Sequence, residues 1–195
     1  HGLVAVVRVD VHEVERGGRV EACPMVALAS DDLADDVRHR LVLTRTHNGG
    51  GTKFGFFNKQ SSAYVRVLVP DNAQFLGISG NSRPNFKSLL DYSKTDFKRD
   101  EDLVGFEEKS YYDGETGVTT YEESGKREYG FWMILNPGET KAIELEYRVP
   151  VNDTSCPVDT PCPKIYSFYI QRQPGLEFKK FEFNLNNNKY FSGLL

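Results

Sequence analysis

Asn136-Pro137-Gly138-Glu139 separates two runs of strand-forming residues and limits the possible folds more than any other stretch of the chain. Upstream lies Tyr129-Gly-Phe-Trp-Met-Ile-Leu135, and downstream Thr140-Lys-Ala-Ile-Glu-Leu-Glu-Tyr-Arg-Val149, halted by Pro150. Pro137 pre-sets the first central position of a type II turn, and Gly138 supplies the positive φ needed at the second. Ile143, Leu145, Tyr147 and Val149 alternate with Ala142, Glu144, Glu146 and Arg148. A period of two gives a strand one buried and one wet face. The sequence therefore predicts a Pro-Gly hairpin in a protein built sheet on sheet.

The same pattern recurs along the chain. Leu3, Ala5, Val7, Val9 and Val11 share one parity of an N-terminal strand from Leu3 to Val14. This strand is expected to turn at Gly17-Gly18 and to close a hairpin from Val6 to Leu28. Val37 to His47 reads as a strand ending at Asn48-Gly-Gly-Gly51, and Tyr64 to Val69, closed by Pro70, sets Val65, Val67 and Val69 on one face. Further strands are expected at Gln74 to Ser79, Val118 to Glu123, Ile165 to Arg172 and Phe178 to Leu185, the last two linked through the turn Gln173-Pro174-Gly175. Between Asn81 and Glu108 the alternation lapses, and only a short helix from Phe86 to Tyr92 is expected. The chain reads as all-β: a β-sandwich of about ten antiparallel strands with one long irregular insertion and at most short helices. Its 195 residues are expected to form a single domain, with a candidate seam within residues 81–102.

A net charge of −4 argues against a nucleic-acid surface, which needs clustered lysines and arginines to displace counterions. Arg38-His39-Arg40, with Arg45 beyond, is the densest basic stretch and reads as a solvated strand face. The longest apolar run, Leu3 to Val7, is far short of the roughly 20 residues needed to cross a bilayer. No membrane contact is expected from this chain itself. With neither an initiating Met nor a signal-peptide pattern, it reads as a mature or excised portion of something longer.

Three cysteines are present. Cys156 and Cys162 bracket a short Pro-rich loop, and a disulfide there would restrict the unfolded chain by about 2.4 kcal/mol. Free thiols are the alternative, and a two-cysteine metal site falls short of the four ligands zinc wants. Cys23 has no sequence partner and reads as a buried or free thiol. His12, His39 and His47 sit on or at the ends of expected strands and read as surface or strand-end residues. Neither they nor His1 stand near a nucleophile elbow. Glu107-Glu108 and Glu122-Glu123 read as wet-face acidic pairs rather than catalytic carboxylates. Asp91 to Asp102 resembles a calcium loop only superficially, because Asp96 stands where the turn needs Gly and Arg99 at a ligand position. Asn152-Asp153-Thr154 is a glycosylation acceptor triplet. No cofactor is expected and no catalytic residue is assigned. Tyr111, Tyr112, Tyr121 and Trp132, with Tyr190-Phe191, could line a binding face for sugars or a partner protein, although a core role is the commoner fate of such rings.

Val42-Leu-Thr-Arg-Thr-His-Asn48, Tyr64-Val-Arg-Val-Leu-Val-Pro70, Glu122-Glu-Ser-Gly-Lys126, Trp132, Asn136-Pro-Gly-Glu-Thr140, Tyr147-Arg-Val-Pro150 and Gln171-Arg-Gln-Pro-Gly175 together resemble the C-terminal part of a bacterial family, domain of unknown function 4012. The likeness covers about Val37 to Leu185 and lies in the ordered combination of motifs. The cysteine loop and the segment before Val37 depart from it. The resemblance implies an extracytoplasmic cell-envelope protein, anchored by an N-terminal transmembrane helix outside this chain. It also implies an upstream region faintly similar to the LytR-CpsA-Psr glycopolymer transferases. The expectation is thus a non-catalytic structural or binding module at the cell surface, its partner a cell-wall glycopolymer or another envelope protein. An accessory domain positioning substrate for such a transferase, or a subunit of a surface assembly, are the alternatives.

Overall fold

The computed structural model describes the backbone of residues 3–12, 26–30, 36–85, 96, 100–150, 164–168, 177–185 and 188–193, with side chains described in 36–85, 96, 100–105 and 107–150. The chain is all-β, as expected from its alternation. Twelve strands lie among the described residues: β1 Leu3–His12, β2 Val26–Ser30, β3 Asp36–Thr46, β4 Ser61–Pro70, β5 Gln74–Ser79, β6 Tyr111–Asp113, β7 Val118–Glu123, β8 Lys126–Leu135, β9 Thr140–Pro150, β10 Lys164–Phe168, β11 Glu177–Leu185 and β12 Asn188–Gly193. One short helix, α1, spans Glu101–Glu107. The Asp100 carboxylate accepts the backbone N–H groups of Asp102 and Leu103 at 2.9 and 3.2 Å, capping its first turn. None of the helices described is long and apolar enough to cross a membrane.

The chain divides into two compact units, one formed by His1–Ser61, Asn72–Gly80 and Leu135–Leu195, the other by Ser62–Asp71 and Asn81–Ile134. In the first, six strands are ordered β12-β11-β1-β3-β9-β5, and β10 pairs with β2 in a separate ladder. Val37, Ile143, Leu145 and Tyr147 are buried, so one parity of β3 and β9 faces the core. The opposite parity carries diagonal ion pairs: Arg40 to Glu144 at 2.6 Å, Arg148 to Asp36 at 3.5 Å, and Arg38 to Glu146. Glu144 raises the Arg40 pKa through its hydrogen bond and its charge. Arg38 and Arg40 of the basic stretch noted in the sequence therefore lie on a self-neutralised strand face, while His39 between them takes the core parity. The second unit holds a four-stranded sheet ordered β4-β8-β7-β6. There Val69, Val118, Tyr129, Phe131 and Met133 are buried; each such apolar side chain removed from water contributes roughly 1.5–3 kcal/mol.

Several expectations are corrected. The type II turn is present, with Gly138 at φ +79° and the Glu139 N–H donating to the Asn136 carbonyl at 3.0 Å. Yet β8 and β9 do not form a hairpin: β8 belongs to the four-stranded sheet and β9 pairs with β3 and β5. Type I and II turns splay the strands they join, whereas the primed turns match strand twist, so Pro-Gly here redirects the chain rather than pairing it. The hairpin expected from Val6 to Leu28 is also replaced. β1 lies between β11, antiparallel, and β3, parallel, while β2 pairs with β10. Apolar residues at every position from Leu3 to Val7 are the pattern of a central strand with two neighbours. The β1–β3 pair is thus parallel, whereas β1–β11, β2–β10, β3–β9, β5–β9, β6–β7, β7–β8 and β11–β12 are antiparallel.

His39 and His47 are buried, 3% and 7% exposed, rather than surface residues, although His47 does stand at a strand end, directly after β3. His39 stacks on Tyr147, its cross-strand neighbour, with ring centres 4.6 Å apart and planes 4° from parallel. Burial lowers its pKa to about 4. The cysteine loop with Cys156 and Cys162, Cys23, the turn at Pro174-Gly175, the Asn152 triplet and the helix expected at Phe86 to Tyr92 lie outside the described residues, as does most of the Asp91 to Asp102 stretch.

Candidate functional site

Alternation places one set of side chains on the wet face of the four-stranded sheet. β4 contributes Tyr64 and Arg66; β8 contributes Glu128, Gly130 and Trp132; β7 contributes Thr119 and Tyr121, opposite Gly130 and Glu128 respectively; and β6 contributes Tyr112, opposite Thr119. The strand parity that buries Tyr129, Phe131 and Met133 puts these on the opposite face, where Glu128 and Gly130 are themselves covered by neighbouring side chains.

One end of this face is ionic. Arg66 grips Glu128 with two hydrogen bonds, Nε to Oε1 at 2.6 Å and Nη2 to Oε2, and reaches Glu123 at 2.9 Å. Glu128 is 1% exposed while Arg66 remains half-exposed. The hydrogen bond to Glu128 is the main cause that raises the Arg66 pKa, keeping the guanidinium charged.

The other end is a groove of about 530 Å³, lined by Tyr64, Tyr112, Tyr121, Trp132, Arg83 and Asn85 among others. Tyr64 and Trp132 meet edge to face, with ring centres 5.1 Å apart at 61°. A Cβ on Gly130 would lie 2.2 Å from the Tyr64 hydroxyl, so only glycine lets this phenol cross β8. Desolvation pushes the Tyr64 pKa up to about 12, and its hydroxyl is hydrogen-bonded to the side chains of Thr119 and Tyr121. It is therefore a fixed neutral phenol.

The far wall is held by the segment after β5. Ser82 bridges to Trp132, its N–H donating to the Trp132 carbonyl at 2.8 Å, and its hydroxyl accepts the Ile134 N–H at 3.1 Å. Asn81 Nδ2 donates to the Thr116 carbonyl at 2.7 Å and Arg83 Nη1 to the Glu115 carbonyl at 2.6 Å. Those carbonyls belong to the β6–β7 turn. There the Asp113 carboxylate accepts from the Thr116 hydroxyl at 2.7 Å and the Glu115 N–H at 2.9 Å, and the same bonds lower its pKa. Each wall of the groove thus braces the other.

Of the aromatic residues picked out in the sequence, Tyr112, Tyr121 and Trp132 come together here. Tyr111 does not line the groove. It opposes Thr120 on the other parity of β6 and is 69% exposed. Tyr64, Arg83 and Asn85 escaped the sequence reading. Tyr64 could have been found, since it takes the polar parity of a strand whose valines take the other. Among the described residues no group of three or more His, Cys, Asp or Glu could hold a metal ion. Comparison with family models, with curated proteins and with solved structures gives no match.

Proposed function

We propose that the chain is a binding module whose ligand is a glycan, held in the groove between Tyr64, Tyr112, Tyr121 and Trp132. The observation that carries this reading is the convergence of four aromatic side chains with an amide and a guanidinium in one open groove. Aromatic faces stack on the apolar C–H faces of pyranose rings, and phenols, Asn85 and Arg83 supply hydrogen bonds to their hydroxyls. Such an inventory serves recognition: it orients a neutral polymer without moving protons. The fixed phenol of Tyr64 and the mutual bracing of the walls leave little to order on binding, which favours affinity. With the resemblance to domain of unknown function 4012, this supports an extracytoplasmic module of a bacterial envelope protein, with cell-wall glycopolymer as the polymer.

Trp132 is the only tryptophan, so its fluorescence reports on the groove directly. Titration with purified cell-wall glycopolymer is expected to shift that emission, and Tyr112→Ala is expected to weaken binding by about tenfold, the scale of one lost aromatic contact. Because Tyr112 is 60% exposed, the substitution leaves the melting temperature nearly unchanged. Unchanged emission together with no retention of the protein on immobilised polymer would remove the proposal.

A further inference from the structure

The segment from His47 to Gln60, between β3 and β4, presents three phenylalanines to solvent. Phe54, Phe56 and Phe57 are 49%, 65% and 39% exposed, and their rings cluster, with Phe56 and Phe57 centres 4.1 Å apart and Phe54 at 5.9 Å from Phe56. None of the residues in the 3-10 turn Gly55–Asn58 that carries Phe56 and Phe57 is buried.

The segment beneath them is built rather than loose. Asn58 Oδ1 accepts the Gly50 and Thr52 N–H groups at 2.9 and 3.1 Å, while Asn58 Nδ2 donates to the Thr52 carbonyl at 2.7 Å. His47 Nδ1 accepts the Gly49 N–H at 3.0 Å, so Nε2 carries the proton and donates to the Lys59 carbonyl at 2.9 Å. Gln60 Nε2 ties the arch to Asn136 Oδ1 at 3.2 Å. An arch stitched this tightly holds its rings outward at no further ordering cost.

Charge identifies the occupant. From His47 to Gln60 there are two lysines, Lys53 and Lys59, and no carboxylate, in a chain of net charge −4. Lys53 Nζ stands 5.1 Å from the Phe54 ring centre. Three rings at these exposures offer on the order of 300 Å², well below the roughly 800 Å² that each partner gives a standard protein interface. A fluid interface makes no demand for a matched groove, and apolar tips flanked by lysines are what anionic bilayers retain.

The geometry points to a peripheral membrane contact: Phe54, Phe56 and Phe57 enter the headgroup boundary of an anionic lipid bilayer while Lys53 and Lys59 meet its phosphates. The tip holds three apolar side chains rather than a spanning run, so it carries no hydropathy signal of a membrane segment. This contact is independent of the glycan reading and stands or falls apart from it.

The test is co-sedimentation of the full chain with vesicles of phosphatidylcholine plus phosphatidylglycerol, against phosphatidylcholine alone. Preferential binding to the anionic vesicles is expected, weakened about tenfold by Phe56→Ser and by a similar factor in the Lys53→Ala/Lys59→Ala double variant. Both variants alter exposed side chains, and an unchanged melting temperature confirms that they fold. No sedimentation, equal binding to neutral vesicles, or binding that ignores either variant would overturn the proposal. So would a concentration-dependent dimer abolished by Phe56→Ser, which would make a second copy the occupant.

Discussion

The outward face of β3 and β9 and the outward face of β4, β8 and β7 use the same alternation to opposite ends. On the first, Asp36, Arg38, Arg40, Glu144, Glu146 and Arg148 meet in diagonal pairs, each charge answered by one on the neighbouring strand. On the second, Arg66, Glu123 and Glu128 are gathered at one end, and the other end keeps rings and hydrogen-bonding groups around open space. A sheet face that neutralises itself has little left to offer a ligand. One that collects its ions beside an aromatic groove remains available.

The difference can be broken most severely at Arg66. Glu128 is 1% exposed, so Arg66→Met strands a buried carboxylate and is expected to lower unfolding free energy by about 3–5 kcal/mol in urea melts. Adding Glu128→Leu is expected to restore most of it. A single variant as stable as the parent would mean that this cluster is no more consequential than the ladder on β3 and β9.

A second test addresses the buried side of that ladder. Outside the folded state the His39 imidazole takes up a proton near pH 6.5, but within it only near pH 4, because burial penalises the cation. Over that interval the unfolded chain holds more protons. Stability is therefore complete above pH 6.5 and falls as pH drops toward 4, by on the order of 3 kcal/mol. Melting temperature followed through this range should show the decline, and His39→Phe should flatten it. An identical slope in both proteins would refute the assignment.

The smallest effect sharpens the contrast. Arg38→Ala and Arg40→Ala remove exposed partners and should each cost less than about 1 kcal/mol, shrinking further in high salt. Calorimetry showing losses as large as that of Arg66→Met would erase the distinction between the two faces.

Local pattern carried the fold a long way. β5 and β7 were legible to the residue, because alternation and flanking Gly or Pro are local signals. Partner choice was not: whether β8 pairs with β9 or with β4 and β7 depends on contacts far apart in sequence, and the type II turn, legible at Pro137-Gly138, suggested a hairpin although that turn type splays the strands it joins. β6 and α1 were missed because a three-residue strand has no period to read and the capping Asp100 lies within a long charged stretch. At the groove, aromatic residue type pointed to Tyr112, Tyr121 and Trp132. Parity alone would have set Tyr111 aside, since adjacent residues on a strand face opposite ways. Arg83 and Asn85 join through a segment without periodicity, whose position is fixed by tertiary bonds from Asn81 and Arg83 to the β6–β7 turn and from Ser82 to β8.

The pairing of β5 with β9 has a consequence for biosynthesis. β5 leaves the ribosome early, yet the strand it needs begins only at Thr140, after all of Asn81–Ile134 has been translated. A nascent chain halted before that point carries an open edge with nothing to zip against, the situation in which sheets recruit unintended neighbours. Closing that edge therefore waits on synthesis of the intervening stretch, whatever the strength of any one local contact.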